Sequence, residues 1–362
     1  MIGLRAPWGA SGGVETAVSE LAPRLARLGA ELSVYCRSRY NPLGEGQHHG
    51  VELINSGTIY TKHLEAIVHT ALAMPKAIAQ SDIIHIHATG PALMSWLPRL
   101  SGRRTVVTIH AMDHERAKWG RLARTALQMG LWTALRVPDR RIVVGHHLQK
   151  YIFDSTGIDT ICIPNAPSKI EYAPLSEAQI DGLEADSYLL YLGRLVPEKN
   201  LEHCFRAYSQ SGIQIPLIVV GDNANMPEYV RHLKQIAPAG VQLVGPRYGR
   251  AKSALYHHAR AFLLPSSIEG FPISVLEAMS AGCLTLLSDI PPHREILSQP
   301  DCGLLVSGQD WPDVLRWVEC ADLKRRTQMA HNGQQHVNSI YSWESAAHQT
   351  MAVYQDLMRS VE

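Results

Sequence analysis

The sequence predicts an α/β protein made of two doubly wound domains, their parallel sheets facing across a cleft, and three observations carry this. Its 362 residues exceed what one hydrophobic core comfortably organises. Short apolar runs alternate with longer helical stretches, the order that yields parallel strands joined by helical crossovers. The alternation comes as two series, separated by the proline-containing stretch Pro164–Pro174.

In the first series Leu32–Cys36, Ile83–His87, Thr105–His110 and Arg141–Val144 read as buried strands. Helices are expected over Glu15–Leu28, which Gly29 ends, over about Lys62–Ala79, and from Arg116 to Leu135. In the second series Tyr188–Leu192, Ile215–Val220, Val241–Val244, Ala261–Leu264 and Leu284–Ser288 read as strands with helices between them. A first strand should precede the loop Trp8–Gly13, yet only Met1–Leu4 is available for it, which leaves a truncated start open.

Composition narrows the class. With 46% hydrophobic and 19% charged residues the chain reads as ordinary globular protein. The uncharged run Ile83–Pro98 is 16 residues long and broken by Gly90 and Pro91, too short to span a bilayer as a helix. Arg5 and Pro7 interrupt the apolar start, so no secretory signal is expected. The cysteines (Cys36, Cys162, Cys204, Cys283, Cys302, Cys320) lie far apart without a Cys-x-x-Cys pair, which favours reduced thiols and a cytoplasmic setting. Residues 1–165 carry 18 Lys and Arg against 12 Asp and Glu, a net +6, and the remainder carries −5. A basic N-terminal half suits an anionic partner such as a lipid phosphate, with peripheral membrane contact as the consequence; ordinary scatter is the competing reading. No nucleic-acid partner is expected.

Ligands of doubly wound sheets bind at the carboxyl ends of strands, so the chemistry is sought there. After the strand Tyr188–Leu192 come Gly193, Arg194 and Lys199, two cations able to hold a diphosphate and stabilise it as it leaves. A solvated basic pair is the alternative. After Ala261–Leu264 comes PSSIEGFPISVLEAMSAG, with Glu269 in the loop and Glu277 in the helix that follows. The loop carboxylate can accept from sugar hydroxyls and the helical one from a ribose diol, while backbone amides near Gly270 and Phe271 can meet phosphate oxygens. Gly12 and Gly13 open the first helix and would let its N-terminus approach a phosphate, although such a turn is often structural. His110 ends the strand TVVTIH and is a candidate for contact with the transferred sugar or its phosphate; a structural histidine is the alternative. His85 and His87 read as mainly structural. Neither His-Glu-x-x-His nor Asp-x-Asp occurs, so no metal and no cofactor are expected. The segment Arg116–Leu135 is amphipathic: Trp119, Leu122, Ala126, Leu127 and Met129 share a face, opposite Lys118, Arg121, Arg124 and Gln128. It can pack that face on the core, the favoured reading, or lie on an anionic membrane.

The N-terminal Gly-Gly loop, GRLVPEKN, PSSIEGFPISVLEAM and the terminal YSWESAAHQTMAVY together resemble family-4 retaining glycosyltransferases of the GT-B type over nearly the whole length. GGVETAVSELAPRL, TGPALMSWLPRL and TIHAMDHERAKWGRLAR resemble, more narrowly, bacterial rhamnosyltransferases of capsule and exopolysaccharide synthesis. The resemblance implies two Rossmann-like domains. Residues 1–168 would form the acceptor-side domain, with 343–362 packing back onto it, and residues 169–342 the nucleotide-sugar domain. It implies that Arg194 and Lys199 bind the donor diphosphate, Glu269 the donor sugar and Glu277 the ribose, with Gly13 near the phosphates and His110 beside the reacting sugar. The usual Ile-Pro-Asn-Gly stands here as Ile163-Pro164-Asn165-Ala166. The implied reaction is metal-independent transfer of a hexosyl or deoxyhexosyl group, rhamnose among the candidates, from a nucleotide sugar to a glycan or polyprenyl-linked acceptor at the inner face of the membrane. A uridine-linked hexose or hexosamine donor, a nucleotide-sugar epimerase and a non-catalytic nucleotide-sugar-binding protein are the alternatives.

Overall fold

The computed structural model describes residues 1–9, 12–60, 65–115 and 120–359, with the side chain of Leu122 outside the description. The chain divides into two compact units, Met1–Ala166 with Ser342–Glu362, and Pro167–Tyr341.

In the first unit β1 (Ser33–Arg37), β2 (Gly46–His48) and β3 (Val51–Ser56) form one sheet in the order β1-β3-β2. β4 (Ile83–His87), β5 (Arg104–Ile109), β6 (Arg140–Val143) and β7 (Ile161–Cys162) form a second, fully parallel sheet in that order. Met1–Arg5 stitches the two together. The Ile2 amide donates to the His85 carbonyl (3.0 Å) and the Ile2 carbonyl accepts from His87 (2.9 Å). On its other side the Met1 and Arg5 carbonyls accept from Tyr35 (3.0 Å) and Arg37 (2.7 Å). The segment that looked too short for a strand therefore fills a strand's place and satisfies backbone groups on both neighbours. The helix Gly13–Arg27 lays Val18 and Ala22 against Leu4, Ala6, Val34, Cys36, Val51 and Leu53. The helix Trp343–Arg359 packs on this unit through Trp343, Ala346, Ala347, Thr350, Val353 and Leu357, the i, i+3, i+4 stripe of a one-faced helix.

In the second unit β8 (Leu189–Leu192), β9 (Leu217–Val220), β10 (Val241–Gly245), β11 (Ala261–Leu264), β12 (Thr285–Ser288) and β13 (Leu304–Val306) form one parallel sheet, ordered β10-β9-β8-β11-β12-β13. LIVV, AFLL and TLLS of β9, β11 and β12 are buried throughout, as strands covered by helices on both faces must be. Chain order runs outward from β8 to one side and then returns to start β11 on the other. That reversal is a topological switch point, the place where such sheets bind ligands.

The expected strands coincide with observed ones. β2, β3, β7 and β13 were not anticipated: β7 is two residues long and β2 three, too short to show a period. The helix expected over Lys62–Ala79 is Glu65–Gln80, its first expected positions lying outside the described residues. The helix expected from Arg116 is Arg121–Arg136, and Trp119 and Lys118 lie outside the described residues. Arg121, Arg124 and Gln128 face solvent as expected and Ala126 and Leu127 are half-buried, but Met129 does not share the inward face. Met129 is 59% exposed and Trp132 56%, whereas Gly130, Thr133, Ala134 and Leu135 are buried. Gly130 lies so close to Thr89 that a Cβ there would stand 2.3 Å from the Thr89 carbonyl oxygen. That backbone approach turns the glycine side inward and Met129 out.

Among the described residues no helix is long and apolar enough to cross a membrane. None of the cysteines is in a disulfide.

Candidate functional site

At the switch point, β8 ends in a backbone-rich corner. The Gly193 amide donates to the Val220 carbonyl (3.1 Å), and the Gly221 amide to the Gly245 carbonyl (3.1 Å). The carboxyl ends of three adjacent strands, β8, β9 and β10, are thus locked edge to edge. The chain then passes the half-buried Arg194, whose carbonyl accepts from the Tyr191 hydroxyl (2.9 Å), and buries Leu195 and Val196. A short 3-10 turn, Pro197–Lys199, follows, and Asn200 in the left-handed region (φ 57°) redirects the chain into the helix Leu201–Ser211. This sequence of turns carries Lys199 inward, leaving its side chain 11% exposed.

The loop after β11 is tied to the same corner. The Ser267 amide donates to the Glu198 carbonyl at 2.9 Å, which brings the two loops together. Lys199 Nζ donates to Glu269 Oε1 in a short ion pair, and Ser266 Oγ donates to the same oxygen at 2.6 Å. Burial pushes the Glu269 carboxyl up, yet Lys199, the nearby His293 and the Ser266 hydroxyl together hold it below the usual carboxylate range. His293 is fully buried in the helix Pro291–Ile296 after β12, where its Nδ1–H donates to the Ser288 carbonyl (2.8 Å). The expected pair of cations is therefore split in kind. Lys199 is committed to a carboxylate, while Arg194 stands at the strand end.

Glu277 lies in the helix Ile273–Ser280 and is 3% exposed. Its Oε1 accepts from Lys252 Nζ at 2.7 Å and its Oε2 from the Tyr256 hydroxyl at 3.3 Å. Each carboxylate oxygen keeps a further lone pair for a diol. Gly270 is buried, and the Phe271 ring, 3% exposed, meets Tyr341 edge-on at 5.3 Å. What Phe271 can offer a ligand is its backbone at the helix start, since its ring belongs to the core. Beyond β9 a pocket of about 290 Å3 is bordered by Asp222, Asn223, Arg231 and Lys234. The Asn223 side-chain amide also donates to the Leu195 carbonyl at 3.2 Å, next to Arg194.

In the first unit His110 follows β5 and its Nε2 stands 3.1 Å from His87 Nδ1. Burial lowers the His110 pKa to about 4, with Asp113 pulling weakly the other way, so the ring is neutral at physiological pH. Gly12 is extended and caps the helix Gly13–Arg27. A Cβ at Gly12 would stand 2.1 Å from Glu15 Oε2, while nothing lies within 4 Å of one at Gly13. The buried Glu15 carboxylate, which also accepts from the Arg5 amide at 3.3 Å, already meets the positive end of this helix. The preceding residues 10 and 11 lie outside the described residues.

Two clustered sets of polar side chains at the carboxyl ends of parallel strands are the candidate sites of the two units. Residues 11–166 match the model of Glycosyltransferase Family 4, and residues 177–336 that of Glycosyl transferases group 1. The chain is a glycosyltransferase. It is 25% identical to a D-inositol 3-phosphate glycosyltransferase of Corynebacterium urealyticum, over 96% of this chain and 92% of that one. Among solved structures it resembles sucrose-phosphate synthase from Thermosynechococcus elongatus with a TM-score of 0.82 at 21% identity, covering 97% of this chain and 94% of that one. It also resembles an Anabaena protein solved in complex with UDP and glucose, with a TM-score of 0.80 at 18% identity, covering 96% and 97%. The glycosyltransferase has the GT-B fold.

Four residues around the second-unit cluster of this glycosyltransferase escape a reading of the sequence: Ser266, His293, Lys252 and Tyr256. Ser266 is three residues from Glu269 and was within reach of a turn argument. Lys252 and Tyr256 stand four apart on the helix Gly249–His258, so a shared face was legible, but not that it closes on Glu277. His293 has no local signal at all.

Proposed function

We propose that this glycosyltransferase works with retention and without a metal, moving a hexosyl or deoxyhexosyl group from a nucleotide-sugar donor to a glycan or lipid-linked acceptor of a bacterial surface polysaccharide. The observation that carries the proposal is the buried Lys199–Glu269 pair at the switch point, beside Arg194. Arg194 and Lys199 hold the donor diphosphate and stabilise the charge that develops as it departs. Glu269 holds Lys199 in place and accepts from hydroxyls of the donor sugar. Glu277, oriented by Lys252, accepts from the ribose. The acceptor hydroxyl attacks from the side on which the diphosphate leaves, and a phosphate oxygen takes its proton, so no carboxylate nucleophile is needed. In the first unit His110 contacts the reacting sugar and Gly13, with nothing within 4 Å of a Cβ, leaves room for phosphate, whereas the space at Gly12 is taken by the Glu15 carboxylate. Rhamnose as the sugar rests on the resemblance of Gly12–Leu25, Thr89–Leu100 and Thr108–Arg124 to rhamnosyltransferases.

The test is a thermal-shift screen of the full chain against dTDP-, UDP- and GDP-sugars, followed by turnover with the donor that binds. A ligand specific to the folded state at one hundred times its Kd adds about 2.7 kcal/mol of stability, a plain rise in melting temperature. Turnover is expected to survive a chelator unchanged. A chelator-induced loss restored by Mg2+ overturns the metal-free reading, and the absence of any shift in folded protein overturns donor binding.

The proposal includes a cytoplasmic setting with peripheral contact at the inner membrane face. Its support is the exposed face of the helix Arg121–Arg136, where Arg121, Arg124, Met129, Trp132 and Arg136 stand in solvent and the Arg136 guanidinium lies 5.2 Å from the Trp132 ring centroid. Cosedimentation with anionic vesicles is expected, and to be lost with Trp132→Ala combined with Arg124→Ala; equal binding to neutral vesicles rejects the electrostatic part.

A further inference from the structure

In the first unit the segment Met1–Arg5, β1 and β3 end side by side. The Arg37 amide donates to the Arg5 carbonyl at 2.7 Å, and Arg37 stands in register with Ser56. A few residues further on, Tyr40 and Tyr60 meet edge-on with ring centroids 6.1 Å apart. The Arg5 guanidinium lies over the Tyr40 ring at 5.2 Å, and the Arg39 guanidinium over the Tyr60 ring at 5.6 Å. The Arg39 amide donates to the Tyr60 hydroxyl at 3.0 Å, which ties the two turns together. Two cations and two rings thus form one cluster at the carboxyl ends of parallel strands, where folds of this kind bind ligands. His110 follows β5 on the same side of the unit, since Met1–Arg5 borders β4 and β4 pairs in parallel with β5.

The cluster rests on a buried support. The Tyr40 hydroxyl donates to the Glu65 carboxylate, and burial together with that charge raises its pKa, so it stays a donor. Glu65 is in turn paired with Arg37 at 3.0 Å, the two side chains being 12% and 7% exposed. Next to Arg37, His69 is fully buried, and burial and the arginine charge lower its pKa to about 4, so it adds no charge at neutral pH. Arg37 is therefore committed to Glu65. Arg5 and Arg39 are not committed to any carboxylate. Among the described residues neither guanidinium has an ion pair or a hydrogen bond, and Glu15 takes only the Arg5 backbone amide at 3.3 Å. A guanidinium lying over a ring keeps the N–H groups at its rim for an oxyanion. Arg39 is exposed and Tyr60 is 42% exposed, so a ligand in solution reaches them.

We propose that Arg5 and Arg39, carried on Tyr40 and Tyr60, bind an oxyanion of the acceptor, either a phosphate or a sugar carboxylate. Both groups present the oxygen pair that a guanidinium fork matches, and a neutral glycan would leave both cations in water with nothing to hold. The buried Arg37–Glu65 pair keeps Tyr40 in place, so little side-chain freedom is lost when the anion binds. That the anion belongs to an acceptor rests on the transferase reading above; the anion site itself does not depend on it.

Nε–Hε spectra of the full chain labelled with 15N-arginine read the guanidiniums one by one, with Arg5→Lys and Arg39→Lys assigning the signals. Inorganic phosphate, glucose 1-phosphate, glucuronate and neutral methyl glucoside are titrated at constant ionic strength, with chloride as the reference anion. The expected result is a saturable shift at Arg5 and Arg39 with phosphate, glucuronate or both, and none with methyl glucoside. A response to the phosphates alone assigns the site to a phosphate-bearing acceptor, and one to glucuronate alone to an acidic glycan. Arg39→Gln, at an exposed position, is expected to weaken the affinity read at Arg5 about threefold, the effect of a neighbouring unit charge in water. A shift at neither arginine overturns the proposal, as does an equal shift with chloride or methyl glucoside. Unchanged affinity at Arg5 in the folded Arg39→Gln protein overturns it too. Absence of transferase activity with every donor, while both arginines respond as expected, would count against the proposed reaction and leave the anion site standing.

Discussion

Lys199→Met lowers turnover by about two to three orders of magnitude and makes the protein gain stability relative to the native one on acidification. The first effect follows from the role proposed for Lys199, since removing a group that stabilises charge developing in the transition state costs about 10²–10³ in kcat. Methionine keeps the methylene stem packed, so the loss reports charge rather than a cavity. The second effect follows from Glu269. In the native protein its carboxyl is held below its ordinary range although burial pushes it up, because Lys199, His293 and Ser266 prevail. A depressed folded pKa adds stability that is present above the unfolded pKa of about 4.3 and is lost as pH falls through the folded value. Without Lys199 the burial contribution, the largest single one, is opposed only by His293 and Ser266, so the folded pKa rises and the stability this group adds above the unfolded pKa shrinks. Leaving a buried charge without its partner costs about 3 kcal/mol at neutral pH. Urea unfolding near neutrality and about one to two pH units lower checks this: the variant should gain stability relative to the native protein on acidification. A variant with the native pH slope would show that Lys199 does not govern Glu269.

Gly221→Ala destabilises the protein by about 2–4 kcal/mol and weakens donor binding in the same variant. Gly221 follows β9 with φ at +148°, where a Cβ is strained. That Cβ would stand 1.9 Å from the Gly193 carbonyl oxygen and 3.6 Å from Leu195. The backbone cannot give way cheaply, because the Gly193 amide is held by Val220 and the Gly221 amide by Gly245. Relief has to come from the Gly193–Leu195 turn, which presents Arg194. Gly308→Ala is the control, since nothing lies within 4 Å of a Cβ there and its φ is not in the strained range. It should fall within about 0.5 kcal/mol of the native protein. Melting curves with and without nucleotide separate the two effects. A Gly221→Ala protein as stable as the control would mean that the strand ends tolerate separation.

Both arguments turn on residues whose place along the chain was legible while their partners were not. Arg194 and Lys199 follow β8 and Glu269 follows β11, as alternation of apolar runs and turns implies. That Lys199 meets Glu269, 70 residues on, depends on β8 and β11 being neighbours. Met129 in the helix Arg121–Arg136 shows the same limit: its apolar side chain reads as part of the face of Ala126 and Leu127, yet it is 59% exposed while Gly130 packs on Thr89.

The alternation of strands and helices, the parallel character of the sheets and the strand ends at which polar residues gather are legible in the amino-acid order. Those properties are local, written in periodicity and in where glycine and proline interrupt it. The order β10-β9-β8-β11-β12-β13, the insertion of Met1–Arg5 between β1 and β4, and the closure of Lys252 and Tyr256 on Glu277 emerge with the packed fold alone. It alone brought His87, His110 and Trp343 around one cavity. The reason is that uniformly apolar strands, buried on both faces, carry almost no signal of which neighbour they take. Their order is settled by how the crossover helices pack, and the partner of each buried polar group is settled with it.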